Sequence, residues 1–433
     1  MRTELVINWE HYEEHLDEAT FLWGQWEGCL VAPDHVLSEV CSDEERLLAR
    51  LDALLLGGAP VAERLLVPAL EADEAERVSS AAHVLLTEEA PSGGSETVLA
   101  ALEAAEPPAL AAMRRALELL EPGALPSWVP ALLEREAPAL QTLALEVLSV
   151  HGLDPGPRLP RLLLHEDAQV MAAALRASGR FRHRLNPEVL SRALASPWPE
   201  VRDAALTAGL LQGHRVTWDA CQKAVEEQTS QLRLPALVLC LGGGERDLER
   251  VRRLLAAPEH RPDALWALGF SGRVSAAEAC LEWLGHKVVG PMAAEAFCAT
   301  TGLLLEGRFA NNDPAPDPEE DDLDADLSLK PEDALPTPNA EAVTAWWSEN
   351  HKRFDPARRY LHGRLFTSGL LLETLAEGPM RRRHALALEL TLRSRGAFWP
   401  PTRAFSSRQF VELRALRAAP HAFSRPFTEG LHA

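Results

Sequence analysis

Ala144-Leu145-Glu146-Val147 is the first of six copies of one four-residue signature between Val129 and Gly302, and this stretch decides the fold. The other five copies are Ala174-Leu175-Arg176-Ala177, Ala205-Leu206-Thr207-Ala208, Ala236-Leu237-Val238-Leu239, Ala264-Leu265-Trp266-Ala267 and Ala296-Phe297-Cys298-Ala299. Their successive spacings are 30, 31, 31, 28 and 32 residues. A period in this range is typical of a repeat protein.

Each repeat is predicted to contain two helices. An apolar pair at i, i+4 spacing, such as Leu190 with Leu194, precedes most of the signatures, and prolines mark the turn between the two patterns. A small Ala beside a large Leu or Phe lets antiparallel helices approach closely and interlock. Because one pair of helices cannot bury its apolar face alone, neighbouring pairs must stack. The sequence therefore predicts an all-α fold, a HEAT-like α-solenoid of stacked helical pairs with an acidic loop insertion.

Four segments are expected along the 433 residues. Residues 1–60 form a helical cap rich in aromatic side chains, and residues 61–306 form the HEAT-like repeat array. Residues 307–340 form an acidic, proline-rich loop that is too poor in apolar residues to order itself. Residues 341–433 form a C-terminal helical segment with a basic cluster.

Charge and composition limit the class of protein. The net charge of -21 argues against a general nucleic-acid binder. Residues 350–417 depart from this balance, with 14 Lys and Arg against five acids, a difference of +9. No apolar run approaches 20 residues and no signal peptide is apparent, so we expect a cytoplasmic protein without a membrane segment. The six cysteines include no CxxC pair, which favours buried free thiols over disulfides or metal.

Catalytic motifs are missing from the sequence. His165-Glu166 is the one dipeptide of the kind that binds iron in some HEAT-like enzymes, and such a site needs several. Asp322, Asp324 and Asp326 imitate the start of a calcium loop, but Leu327 occupies the position that needs glycine. We therefore expect no enzyme, no cofactor and no metal site.

Two surfaces are candidates for partner binding. The first is an apolar stripe on the inner face of the solenoid, because the second position after each signature Ala is predicted to point away from the core. Its residues are Leu234, Val238, Trp266 and Cys298. Either a partner helix or peptide binds this stripe, or the segment after the acidic loop folds back and covers it.

The second candidate surface is a set of arginines in the C-terminal segment. Its members are Arg358, Arg359, Arg364, Arg381, Arg382 and Arg383. The run 381–383 precedes an apolar helix, where positive charge opposes the helix dipole, so helix stability does not explain it. The arginines either bind an acidic partner, protein or nucleic acid, or pair with the acidic loop of the same chain.

Several runs of sequence resemble one known family. They are Glu14-His15-Leu16-Asp17-Glu18-Ala19-Thr20-Phe21-Leu22-Trp23, Ala32-Pro33-Asp34-His35, Ala294-Glu295-Ala296-Phe297-Cys298-Ala299-Thr300-Thr301-Gly302 and Arg359-Tyr360-Leu361-His362-Gly363-Arg364. The resemblance is to an uncharacterised proteobacterial family of HEAT-like repeat proteins, frequent in myxobacteria and sometimes encoded beside type VI secretion genes. It implies an accessory or adaptor role with a secretion spike or effector protein, and it carries over no catalytic residue.

The sequence thus predicts a non-enzymatic scaffold or adaptor for a protein partner. The alternative is a HEAT-like repeat protein that binds nucleic acid through the arginines, with an affinity that falls steeply as salt rises.

Overall fold

The computed structural model describes residues 7–87, 90, 93–311, 330–418 and 425–432. The chain is mostly helical in these ranges, which confirms the predicted all-α class. Most of the predicted acidic loop, including its calcium-like aspartates at 322, 324 and 326, lies outside the described residues. No helix within the described ranges is both long enough and apolar enough to cross a membrane.

Contacts divide the chain into two compact units. The first comprises Met1–Leu30, His35–Ala208 and Pro401–Glu412. The second comprises Val31–Asp34, Gly209–Pro400 and Leu413–Ala433. The units cut across the four segments expected from sequence, and those segments stay a prediction.

The first unit begins with two long helices and continues with shorter ones. In chain order its α-helices are α1 (Trp9–Cys29), α2 (Leu37–Leu56), α3 (Gly58–Val61), α4 (Val67–Ala69), α5 (Ala75–Leu86), α6 (Gly94–Ala104), α7 (Pro107–Glu118), α8 (Pro138–Val150), α9 (Leu159–Leu162), α10 (Ala168–Arg180), α11 (Pro187–Leu194) and α12 (Pro199–Leu211). A π-helical turn spans Ala62–Leu66, and 3-10 turns span Pro130–Glu134 and Gly156–Arg158. Helix α12 ends just beyond the unit boundary.

The second unit contains the remaining elements. They are α13 (Arg215–Glu226), α14 (Arg233–Gly242), α15 (Glu245–Arg253), α16 (Arg261–Leu268), α17 (Val274–Leu281), α18 (Gly290–Thr301), α19 (Ala340–Asn350), strands β1 (Tyr360–Leu361) and β2 (Arg364–Leu365), α20 (Ser368–Glu377) and α21 (Met380–Arg393). Short 3-10 turns span Leu254–Ala256, Gly307–Phe309, Pro331–Ala334, His351–Arg353 and Phe427–Gly430. The last helix, α22 (Ser406–Ala418), has residues in both units.

The repeat signatures lie on α8, α10, α12, α14, α16 and α18, and every signature Ala is buried. Helix α8 packs on α10 in the first unit, and α16 packs on both α14 and α18 in the second. The small residue therefore lies where the helices meet, as its size predicts. In the first two pairs the first helix is less regular, since the 3-10 turn Pro130–Glu134 and the four-residue α9 stand where full helices are predicted. The later pairs begin with the α-helices α11, α13 and α15.

Two tryptophans of α1 lie in the core of the first unit, whereas Phe21 on the same helix is 64% exposed. Trp23 and Trp26 are buried, and the Trp26 indole donates a hydrogen bond of 3.1 Å to the Glu44 carboxylate. The same carboxylate accepts bonds from the backbone and hydroxyl of Ser406, at 2.8 and 2.7 Å. These bonds hold residues 401–412 against the start of the chain within this unit. Burial nevertheless raises the pKa of Glu44.

A small hairpin, which the sequence does not predict, joins the C-terminal segment to the signature helices of the second unit. Strands β1 and β2 pair antiparallel around His362 and Gly363, both of which have positive φ. The amide of Tyr360 donates to the Gly272 carbonyl at 2.7 Å, and the amide of His362 donates to the Ala299 carbonyl at 2.8 Å. The hairpin is therefore fixed at the C-terminal ends of α16 and α18.

Candidate functional site

A cavity of about 640 Å³ lies within the second unit. It is bounded by α18, the chain that follows it, α20, the start of α21 and the turn of the hairpin. Its apolar wall includes Leu303, Leu304, Leu305, Leu335 and Leu370. A concave site with mainly apolar walls and a few polar groups is the usual form of a ligand-binding pocket.

Arg382 supplies a buried charge on the cavity wall. Its side chain is held by a bond of 2.6 Å from Nη2 to the Gly269 carbonyl and lies 4.0 Å from the centre of the Phe270 ring. Nη1 lies 3.5 Å from Glu295 Oε1. Within the described residues, Nε of Arg382 is buried without a hydrogen-bond partner. An unsatisfied buried donor is costly, but this atom is closed to solvent, so a ligand in the cavity reaches it only when the neighbouring side chains move.

His362 supplies a second unsatisfied polar atom. Its φ of 49° places it at the hairpin turn, and its Nε2 is buried with no hydrogen-bond partner among the described residues. Burial, with a smaller contribution from Arg382, lowers the pKa of His362 to about 4. The imidazole is therefore neutral near pH 7 and can donate or accept one hydrogen bond there.

Cys298 is the cysteine of the cavity. Burial raises the pKa of its thiol to about 12. A thiol that stays protonated at neutral pH is a poor nucleophile. Together with the neutral His362, it gives the cavity two groups suited to contact with a ligand and poorly suited to covalent catalysis.

The mouth of the cavity is acidic. Arg364 binds Glu373 there, with Nη2 3.0 Å from Oε2, and both side chains are exposed. Five carboxylates and two guanidinium groups line the cavity, and two of those carboxylates, Glu295 and Glu377, also pair with Arg381 and Arg417 outside the lining, which leaves a formal balance of -1. A small excess of acid favours a ligand that carries positive charge.

The arginine run 381–383 is buried, so the expectation of an exposed basic cluster is wrong there. Arg381 binds Glu295 at 3.1 Å and Glu332 at 2.9 Å. Arg383, only 1% exposed, donates to the Leu375 carbonyl at 2.6 Å, and burial lowers its pKa to about 10. The run lies inside the second unit because neighbouring carboxylates and carbonyls bind each of its guanidinium groups, although Arg381 Nη2 and Arg382 Nε have no partner among the described residues. Glu332 belongs to the predicted acidic loop 307–340. Its pair with Arg381 therefore agrees, for this one acid, with the alternative in which the arginines bind acids of the same chain.

The other three arginines of the set differ in exposure. Arg359 forms a two-pronged pair with the fully buried Glu389, which also accepts a bond from Arg393. Its expected role in an exposed binding surface is therefore wrong as well, because the buried carboxylate holds it. Arg358 and Arg364 are the exposed members.

The predicted apolar stripe is largely covered. Val238 is only 1% exposed, so its expected outward orientation is wrong, and α14 is covered by residues on all sides. Leu234, Trp266 and Cys298 are half-buried. The Arg233 guanidinium lies 4.0 Å from the centre of the Trp266 ring. The hairpin after the acidic loop crosses the ends of α16 and α18. The fold-back alternative, in which this segment covers the stripe, stays a prediction.

Three of the ten predicted site residues therefore meet in the cavity, namely Cys298, Arg364 and Arg382. Glu295, Leu304 and His362 line it without having been predicted. One signal in the sequence could have located His362, because a residue followed by glycine between Tyr360-Leu361 and Arg364-Leu365 fits a two-residue hairpin turn.

No protein-family model matches the chain. No curated protein matches it either. The function is therefore argued from the cavity.

Proposed function

We propose that the protein is a non-enzymatic adaptor that holds a short apolar segment of a partner protein, carrying a basic side chain, in the cavity of the second unit. The observation that carries this proposal is the cavity itself, with its leucine wall and acidic rim. A volume of about 640 Å³ falls within the usual range for a ligand site. It is smaller than the roughly 850 Å³ of two turns of a helix of ~10 Å diameter, so it accommodates a few side chains of a peptide.

The groups in the cavity fit peptide binding. Arg382 and His362 lie on the cavity wall, and each has one buried polar atom without a partner among the described residues, which a polar group of the peptide can satisfy once the side chains over it move. The excess of acids over bases in the lining favours a lysine or arginine in the bound segment. Leu304, which is 70% exposed, offers apolar surface to the entering segment. Recognition through apolar burial with a few fixed polar contacts is the common mode for such segments.

The wider proposal is an adaptor built on a HEAT-type solenoid. The six buried signature alanines at near-regular spacing support repeats of that type. All six cysteines are free thiols, which is typical of proteins in a reducing compartment, and we propose that the protein is located in the cytoplasm. A role accessory to a bacterial secretion system is proposed on the family resemblance alone.

Nucleic-acid binding is the weaker candidate. Arg359 and the run 381–383 are engaged within the second unit, which leaves Arg358 and Arg364 as exposed members of the set. Phosphate binding draws on many accessible cations at once. A pull-down from the native cell, with and without nuclease, separates the two candidates, because capture that nuclease abolishes would favour nucleic acid.

The direct test is peptide selection on the full chain. A random peptide library is panned against the protein, and the selected peptides are measured by calorimetry against two variants. Leu304→Asp alters the cavity at an exposed position, and Val288→Asp is its matched control, since Val288 is 74% exposed in the same unit and does not line the cavity.

The expected peptides combine apolar residues with a lysine or arginine. Leu304→Asp should lower the affinity of the protein for these peptides about 10- to 100-fold, because burial of one leucine contributes roughly 1.5–3 kcal/mol. Val288→Asp should bind as the parent does. Equal affinities for the parent and Leu304→Asp, or selected peptides without the apolar and basic character, would overturn the proposal.

A further inference from the structure

Three side chains of different chemistry converge in the first unit. One ligand atom each of Cys29, His35 and Asp43 lies within 4.8 Å of the others. Cys29 is the last residue of α1, His35 lies in the connection, and Asp43 faces them from the second turn of α2. The Cys29 Sγ stands 3.8 Å from Asp43 Oδ2, and all three residues are half-buried.

The spacing of these atoms approaches that around a bound metal ion. Zinc binds thiolate sulfur at about 2.3 Å, imidazole nitrogen at about 2.0–2.1 Å and carboxylate oxygen at about 2.0–2.2 Å. In a tetrahedral site of those bond lengths, two ligand atoms stand roughly 3.5 Å apart. The observed limit of 4.8 Å therefore requires small side-chain adjustments and no movement of the helices.

The surrounding structure holds the three groups in place. Helices α1 and α2 pack along each other, which fixes the backbones of Cys29 and Asp43. Arg46 Nη1 lies 3.9 Å from Asp43 Oδ1, on the oxygen that does not face the cysteine. A second partner of this kind commonly orients a metal-binding carboxylate. The partial exposure of the cluster leaves water free to supply a fourth ligand.

We propose that Cys29, His35 and Asp43 bind one divalent transition-metal ion, with zinc the best fit to a thiolate, an imidazole and a carboxylate. Binding releases the Cys29 thiol proton to solvent, so affinity rises with pH. The ion ties the end of α1 to the connection and to α2, and it stabilises the first unit by binding the folded form. The site has no CxxC motif in the sequence, because its ligands come from two helices and the chain between them.

Cobalt is the probe for this site. The full chain, freed of metal, is titrated with Co(II) and followed by absorbance. One equivalent should produce a thiolate-to-cobalt charge-transfer band together with the intense visible bands of a tetrahedral site, and Zn(II) should then displace the cobalt.

Variants assign the ligands. Cys29→Ser should abolish the charge-transfer band. His35→Gln and Asp43→Asn should each lower the affinity for cobalt at least about tenfold. Cys41→Ser is the matched control, a half-buried cysteine outside the cluster, and it should leave both band and affinity unchanged. Far-ultraviolet circular dichroism verifies that each variant keeps its helices.

Two results would overturn the proposal. One is a charge-transfer band that persists in Cys29→Ser. The other is binding that needs several equivalents without saturation and is the same in all variants, which would indicate an adventitious ion only.

Discussion

Glu389 is the residue whose replacement most sharply tests the interior of the second unit. Its carboxylate is fully buried and accepts bonds of 2.8 Å from Arg359 Nη2 and 2.7 Å from Arg393 Nε. Burial alone would raise the pKa of Glu389, but the two guanidinium groups outweigh it and hold that pKa below its usual range. The carboxylate is therefore charged, and its one negative charge is shared by two cations that have little access to water.

Glu389→Gln keeps the size of the side chain and removes its charge. Breaking a buried pair from one side costs about 3–5 kcal/mol, because the remaining charge is left uncompensated. Glu373→Gln is the matched control, since it breaks a Glu–Arg pair in the same unit whose side chains are 41% and 59% exposed. Exposed pairs contribute at most about 1 kcal/mol.

Hydrogen exchange of the full chain is the suitable assay, because a protein of two units does not guarantee a single unfolding transition. Amides of Met380–Arg393 and of the hairpin should exchange roughly 100-fold faster or more in Glu389→Gln, at about 1.4 kcal/mol for each factor of ten. Glu373→Gln should raise the exchange rates of these amides by less than about tenfold. Equal acceleration in the two variants would refute the argument that burial sets the strength of these pairs.

Two further predictions concern the core and the hairpin. Burial lowers the pKa of His83 to about 4, so the unfolded chain binds more protons between that pH and 6.5, and about 3 kcal/mol of stability is lost as pH falls through this window. His83→Gln should flatten that part of the pH profile of chemical unfolding, and an unchanged slope would contradict the assignment. Gly302→Ala should destabilise the second unit by about 1–3 kcal/mol, because φ is 74° and a Cβ there would meet the His362 carbonyl oxygen at 2.5 Å. The control is Gly307→Ala, because Gly307 also has a positive φ but a Cβ there would meet nothing within 4 Å. Both variants are compared by thermal unfolding, and an equal loss of stability in the two would show that the contact with His362 adds nothing.

The sequence predicts well those features of the fold that depend on residues within one repeat. The signature Ala positions and the helices that carry them depend on neighbours at i, i+3 and i+4, so their burial can be predicted from periodicity. The orientation of Val238 depends instead on what covers α14 from outside the repeat. There Phe427 and Thr428 approach Gly242 so closely that a Cβ would meet them at 2.4 and 3.0 Å. No pattern within the repeat contains that information.

The cavity could be predicted only in part for the same reason. Cys298 follows from the phase of the repeat, but the wall opposite it comes from α20 and the hairpin, more than 60 residues later. The arginines were recognisable as unusual, yet their partners were not. Arg382 reaches a carbonyl at Gly269, and Arg359 reaches one at Phe270, in each case about 90 residues or more away.

The partners of these arginines also explain why a helix can begin with a basic run. Arg382 donates to the carbonyl of Gly269, the residue that caps the end of α16, and Arg383 donates to Leu375 in the last turn of α20. The end of a helix carries unsatisfied carbonyls and partial negative charge, so each guanidinium stabilises a neighbouring helix end while opposing the start of its own. Substitutions in the run will therefore change the stability of the second unit whether or not a partner binds there. A test of partner binding has to be made at an exposed cavity residue such as Leu304, where a change in affinity is separable from a loss of fold.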